Sequence, residues 1–151
     1  MQCPECFYYV SLLASLEVLL NNHIILGMVA KPRKEDVHSS LLCDFNNGSI
    51  VHNHELFSVD HKSLKILLYY DDLEITNQQT KRKHKLAMFY FQLGNLYSEY
   101  RSTLKSINLS ALVETCHLKK YGIDATLKPF IEELQVLGDD LGYDYKMVLC
   151  T

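Results

Sequence analysis

An α/β fold is predicted for this chain: an N-terminal helical region, then a sheet built in the order strand, strand, strand, helix, strand. Three observations carry the prediction. Three apolar, β-prone runs at 66–70, 86–93 and 107–113 are separated by polar or glycine-bearing connections. A helical face follows at Leu127, Phe130, Ile131 and Leu134, and a last apolar run, Tyr145 to Cys150, comes after it. The 151 residues, 48% apolar and 22% charged, suit one domain with its own core. The formal charge is −3, from 15 Lys and Arg against 18 Asp and Glu. Disordered, collagenous and polybasic chains are thereby excluded.

Leu12, Leu13, Leu16, Leu19 and Leu20 recur at helical spacing and predict an amphipathic helix from Val10 to Leu20. Ile24 to Ala30 extends it or forms a separate turn. Pro32 ends any helix, and Lys31 to Asp36 is a solvated loop. Glu17, Asn21, Asn22 and His23 interrupt the apolar stretch Phe7 to Ala30, which therefore reads as a buried helix and not a membrane span. Residues 1–40 form the helical region and 41–151 the sheet domain.

Leu41 to Phe57 is short and broken around a turn signal, Asn46-Asn-Gly-Ser49. Ile66 to Tyr70 reads as a central strand, and Thr76 to Lys83 as a polar connection. Leu86 to Leu93 is the second strand, closed by Gly94-Asn95. Tyr97 to Leu104 suggests a turn or short helix, and Ile107 to Val113 the third strand. Asp124 is an N-cap for a helix from Ala125 to Leu137, with Pro129 near its first turn and Gly138 as its stop. Short connections make the first three strands an antiparallel meander, and the helix then returns Tyr145 to Cys150 as a parallel addition.

No cationic secretory start precedes the first apolar run, so neither secretion nor a membrane is expected. Cysteines at 3, 6, 43, 116 and 150 are odd in number and scattered, as for reduced thiols of a nuclear or cytoplasmic protein. Cys3-x-x-Cys6 with His52-x-His54 makes a zinc tetrahedron on paper, but the second pair lacks a familiar spacing, and two free thiols are the better reading. Cys116-His117 is read as a strand-end pair, with no orienting partner for a catalytic dyad. Lys81-Arg-Lys-His-Lys85 is the one dense basic run. Lys81, Arg82, Lys83 and Lys85 are thus the candidate nucleic-acid contacts, reaching phosphates by charge. A solvated hairpin tip is the alternative. Tyr69, Tyr70, Phe89, Tyr90 and Phe91 read as core or half-core.

Leu67-Leu-Tyr-Tyr-Asp-Asp-Leu-Glu-Ile-Thr-Asn77, His84-Lys-Leu-Ala-Met-Phe-Tyr-Phe-Gln-Leu-Gly-Asn-Leu96, Tyr100-Arg-Ser102 and Lys119-Lys-Tyr-Gly-Ile-Asp124 form an ordered series. With Asp44 to Ser49 and His54 to Phe57, this series resembles transposon-encoded, transposase-like proteins of fish and invertebrate genomes. The resemblance runs from about Val10 to Leu137. It implies an incomplete ribonuclease H-like sheet, of which the strand-strand-strand-helix-strand order is the opening. Two departures stand out. The family commonly has Asn-Pro-Leu-Gly where this chain has Asn77-Gln-Gln-Thr80, and its members continue through Gly-Asp and Cys/His-rich segments. The chain is therefore expected to be a fragment or a decayed copy.

For the parent family the resemblance implies Mg-dependent DNA cleavage and strand transfer, in which several carboxylates converge on two metal ions. It makes Asp71 or Asp72 the candidate catalytic, metal-binding first carboxylate. Strand alternation lets only one of them face a site, and Glu74 shares a face with Asp72 if the strand continues. The remaining carboxylates are expected beyond Thr151, because Asp139, Asp140 and Asp144 precede the last strand at its wrong end. The expectation is a catalytically incomplete chain that holds no Mg tightly and binds at most DNA or a protein. The alternative is a structural interaction module without a nucleic-acid role. Its first helix (Leu12, Leu16, Leu19, Leu20) would pack on a missing domain or a second copy.

Overall fold

A computed structural model describes residues 6–31, 44–60, 63–76 and 83–141. The N-terminal apolar stretch divides into a two-residue strand, β1 (Tyr8–Tyr9), and two helices, α1 (Leu12–Leu20) and α2 (His23–Ala30). The Ser11 hydroxyl caps α1 by accepting from Ala14 N, and the Asn22 side chain caps α2 by accepting from Ile24 N. Asn21 and Asn22 supply the break, since short amides compete for backbone groups. The two axes bend by 94°, and no single described helix is long and apolar enough to cross a membrane.

Leu12 and Leu16, 0% and 3% exposed, join Met28, Leu127 and Phe130 in one core. The apolar face of α1 is thus consumed by the chain's own sheet domain. The segment 44–60 is broken as expected, into a 3-10 turn at Phe45–Asn47 and a single turn, α3 (Ser49–His52). Asp44 and Asn47 close that 3-10 turn as a capping box.

The sheet adds β2 (Ile66–Thr76), β3 (Lys83–Leu93) and β4 (Asn108–Glu114), in the order β1-β4-β3-β2 with every pair antiparallel. The three predicted strands form the predicted meander. Two expectations need correction. Among the described residues β2 lies at the edge, because it pairs with β3 alone. It also runs well past Tyr70, because Asp72–Ala87, Leu73–Leu86, Glu74–Lys85 and Ile75–His84 continue the ladder. Charges are tolerated there because residues 71–75 are exposed. The two-residue β1 left no periodic signal in the sequence.

Pleating gives β2 and β3 two faces. Leu68, Ala87, Phe89, Phe91, Leu93, Ala111 and Val113 are buried on the inner side. A bulge between Phe89 and Tyr90 inserts Ser110 into β4, and Ser110 O accepts from Val10 N at 2.8 Å. After β3 come one helical turn, α4 (Ser98–Arg101), and a 3-10 turn at Leu104–Ser106. Both turns close on buried Gln92, whose amide donates to Arg101 O and Ser106 Oγ.

Two helices follow β4: α5 (Thr115–Tyr121), which has no counterpart in the predicted elements, and α6 (Ile123–Leu141). Gly122 separates them at φ 84°, a left-handed conformation that favours glycine. Since α6 starts at Ile123, Asp124 sits in its first turn and does not cap it, and Pro129 lies inside it. The helix passes through Gly138, which has no positive φ to end it. Leu127 and Phe130 are buried, with the Phe130 ring 6.1 Å from that of Phe91. Glu133 Oε2 accepts from Leu13 N at 2.9 Å and Ser11 Oγ at 3.1 Å. A carboxylate at the positive end of α1 thereby ties it to α6. The predicted strand Tyr145 to Cys150 and its parallel crossover lie outside the described residues.

Candidate functional site

Two places concentrate chemistry, and both adjoin the far end of the β2–β3 hairpin. The β3–β4 ladder reaches Leu86 opposite Glu114, while β2 and β3 continue through three more pairs, Glu74–Lys85, Ile75–His84 and Thr76–Lys83. A two-stranded ribbon therefore extends beyond the sheet. Lys83 and Lys85 stand on it; Lys81 and Arg82, the other two candidate contacts, lie outside the described residues. Lys85 Nζ faces the Glu74 carboxylate at 3.7 Å, with both side chains well exposed. Solvent and salt keep such a pair weak and exchangeable.

Asp71 and Asp72 lie mid-strand on β2, not at its end. The ladder places them opposite Met88 and Ala87, so they project from opposite faces. Glu74 shares the face of Asp72, since the strand does continue. Both aspartates are exposed and engaged locally: Asp71 Oδ1 accepts from Asp72 N at 2.9 Å, and Asp72 Oδ1 accepts from Tyr70 Oη at 2.6 Å. That hydrogen bond, with lesser help from burial and the charges of Asp72 and Asp71, pushes the Tyr70 phenol up to about 12. Neither carboxylate meets two further ligand groups among the described residues.

The paper tetrahedron at the N-terminus is not assembled among the described residues. Cys3 lies outside them, and Cys6 is an exposed free thiol. His54 Nδ1 accepts from Leu56 N at 3.3 Å, and its ring stacks on Phe57 with centroids 4.2 Å apart.

The second place is a cleft of about 340 Å³ lined by His84, Lys85, Glu114, Thr115, Cys116 and Lys119. Cys116 and His117 are not a strand-end pair. The chain turns at Glu114 (φ −65°, ψ 133°), so both residues fall in the first turn of α5. Among the described residues, only Glu114, Cys116 and His117 form a group of three ligand-type side chains, with donor atoms within 4.8 Å of one another. Cys116 Sγ donates to Glu114 Oε2 at 3.3 Å. This bond, aided by burial and the Glu114 charge, raises the thiol above its ordinary range. His117 Nδ1 and Thr115 Oγ1 are buried without a hydrogen-bond partner.

The cluster escaped the sequence reading because its members straddle a strand and a short helix that periodicity does not mark. The signal available was the string Glu114-Thr-Cys-His117, three donor types in four residues. No family model, no curated protein and no solved structure matches this chain.

Proposed function

We propose that this chain is a DNA-binding module of the transposase-like kind, built on the opening meander of a ribonuclease H-like domain. It grips phosphate backbone through the β2–β3 ribbon and does not itself cut DNA. The observation that carries this reading is the ribbon: Lys83 and Lys85 of the basic run both stand on β3, where it pairs with β2 beyond the end of β4. A two-stranded β-ribbon fits a DNA groove, and lysines along it neutralise phosphates as point charges. Binding without cleavage is supported by the surroundings of Asp71 and Asp72, neither of which meets two further ligand groups among the described residues, whereas two-metal chemistry needs converging carboxylates. The parent family's Mg-dependent strand transfer would then be an inheritance of the fold and not an activity of this chain.

Fluorescence anisotropy of a labelled duplex across a salt series tests the reading. Affinity should fall steeply with salt, and Lys81→Ala, Arg82→Ala and Lys83→Ala together should flatten the slope. Each lost phosphate contact removes roughly 0.9 from the log–log slope. Binding that is absent at low salt, or indifferent to these changes, overturns it.

A second reading, an interaction module with no nucleic-acid role, has one specific observation in its favour. Leu73, Ile75 and Leu109 are 43%, 46% and 41% exposed and belong to the outer sheet side, with the stacked Tyr69–Tyr90 pair. Association through that side would be salt-tolerant, the opposite of the ribbon's behaviour.

A further inference from the structure

We propose that Glu114, Cys116 and His117 form a divalent transition-metal site of zinc type at the root of the β2–β3 ribbon. The three side chains present one carboxylate oxygen, one sulfur and one imidazole nitrogen, all within 4.8 Å of one another. In a tetrahedral zinc site, metal–ligand distances of roughly 2.0–2.3 Å separate neighbouring donors by roughly 3.3–3.8 Å. The Cys116–Glu114 pair, at 3.3 Å, is already at that spacing. The His117 nitrogen lies within 4.8 Å of the other two donors, so closing the set requires a shift of about 1 Å or more.

The buried polar atoms supply an independent observation. His117 Nδ1 is shut away from water without a partner, and so is Thr115 Oγ1 at the same turn. Buried polar groups are ordinarily satisfied, and a neutral imidazole nitrogen is a good metal ligand, so an unpartnered nitrogen on a histidine of this cluster fits a ligand role.

The donor set also selects the ion. Mg²⁺ and Ca²⁺ take oxygen ligands, whereas mixed sulfur, nitrogen and oxygen donors suit zinc and its neighbours. A thiolate and a carboxylate together neutralise a 2+ charge, which matters because Lys85 and Lys119 line the same cleft and disfavour an excess cation. Three protein ligands leave a fourth position, which water fills unless His84, also lining the cleft, swings in. An ion there would join the end of β4 to the first turn of α5, beside the ribbon.

The test is a Co²⁺ titration of the purified, reduced full chain, read by the near-ultraviolet sulfur-to-cobalt absorption and by competition with Zn²⁺. One equivalent is expected, with the band surviving in a Cys3→Ala/Cys6→Ala variant and disappearing in Cys116→Ser. His117→Ala and Glu114→Gln should each weaken the apparent affinity by roughly tenfold or more, the scale on which metal-site side chains act. Cys116 is exposed, so Cys116→Ser should keep its thermal transition without metal, separating loss of binding from loss of fold. A band that persists in Cys116→Ser, that depends on Cys3 and Cys6, or that never forms at one equivalent overturns the proposal. The DNA titration above has a different readout and variants, so either proposal can fail alone.

Discussion

The Arg101 guanidinium pairs with the Asp44 carboxylate across 57 residues of chain, binding the 3-10 turn before α3 to the helical turn after β3. Arg101 also lies over the Phe45 ring, 4.8 Å from its centroid, and its carbonyl receives the Gln92 amide. The Asp44 side chain is only 24% exposed, so removing Arg101 leaves a poorly solvated carboxylate without its cation. Arg101→Ala should therefore destabilise the chain by roughly 1–3 kcal/mol, read as a lower urea midpoint with an unchanged slope. No loss would mean that the segment 44–60 is held by other contacts.

The same pair predicts an acid limb of stability. Burial alone would raise the Asp44 carboxyl, but the hydrogen bond and charge of Arg101, with the Phe45 amide, outweigh it and hold the group below its ordinary 3.8. The folded state thus binds this proton less readily than the unfolded chain. The stabilisation is present above about pH 3.8 and is lost as pH falls through the lower folded value. Asp44→Asn should flatten this part of the pH–stability curve. An unchanged acid limb in that variant would place its origin in other carboxylates.

The legible part of this fold was the part with a period. The meander strands carry apolar runs opposite one another, and α6 repeats Leu127, Phe130, Ile131 and Leu134 on one face. The sequence was silent where tertiary context decides. Asp71 to Ile75 reads as a polar end to a strand, yet it stays in the ladder because each residue finds a partner on β3. Thr115, Cys116 and His117 have modest helix propensity, and α5 is only seven residues long. For the same reason the Glu114–Cys116–His117 group stayed hidden. Its convergence depends on the turn at Glu114, not on a spacing familiar from zinc motifs.

Gly94 marks another close approach. A Cβ there would lie 2.6 Å from Phe45 Cζ and 3.3 Å from Lys65 O. Gly94 N also donates to Lys65 O at 2.6 Å, and the neighbouring Asn95 side chain accepts from Lys65 N and donates to Ser63 O. The same Phe45 ring lies under the Arg101 guanidinium, so a shift of the ring disturbs that contact. Gly94→Ala should cost roughly 1–3 kcal/mol, as overpacking of a filled interior does. Calorimetry on Gly94→Ala in a Phe45→Leu background should recover part of that loss, and no recovery would point to Lys65 instead, whose Cβ lies 3.0 Å from the added carbon.

Phe130 bears on how α6 is held. At 1% exposed and packed toward Phe91, it anchors the helix to the inner face of the sheet. Phe130→Ala should destabilise by roughly 3–5 kcal/mol, from lost transfer energy and the cavity left behind. The accompanying change should be faster hydrogen exchange along α6. Uniform loss across the whole chain would show instead that α6 and the sheet unfold together.

The Glu74–Lys85 pair gives the ribbon reading its most direct check. The Glu74 carboxylate, 3.7 Å from Lys85 Nζ, offsets its charge and competes with a phosphate for the same ammonium group. Glu74→Gln should raise affinity at low salt, and Lys85→Ala should lower it while flattening the log–log salt slope by roughly 0.9. The double variant separates competition from a general field effect. If Glu74 acts by occupying Lys85, then Glu74→Gln adds nothing once Lys85 is alanine. If it acts by repelling phosphate, the gain persists in both backgrounds, and Lys85 is then a bystander on the ribbon.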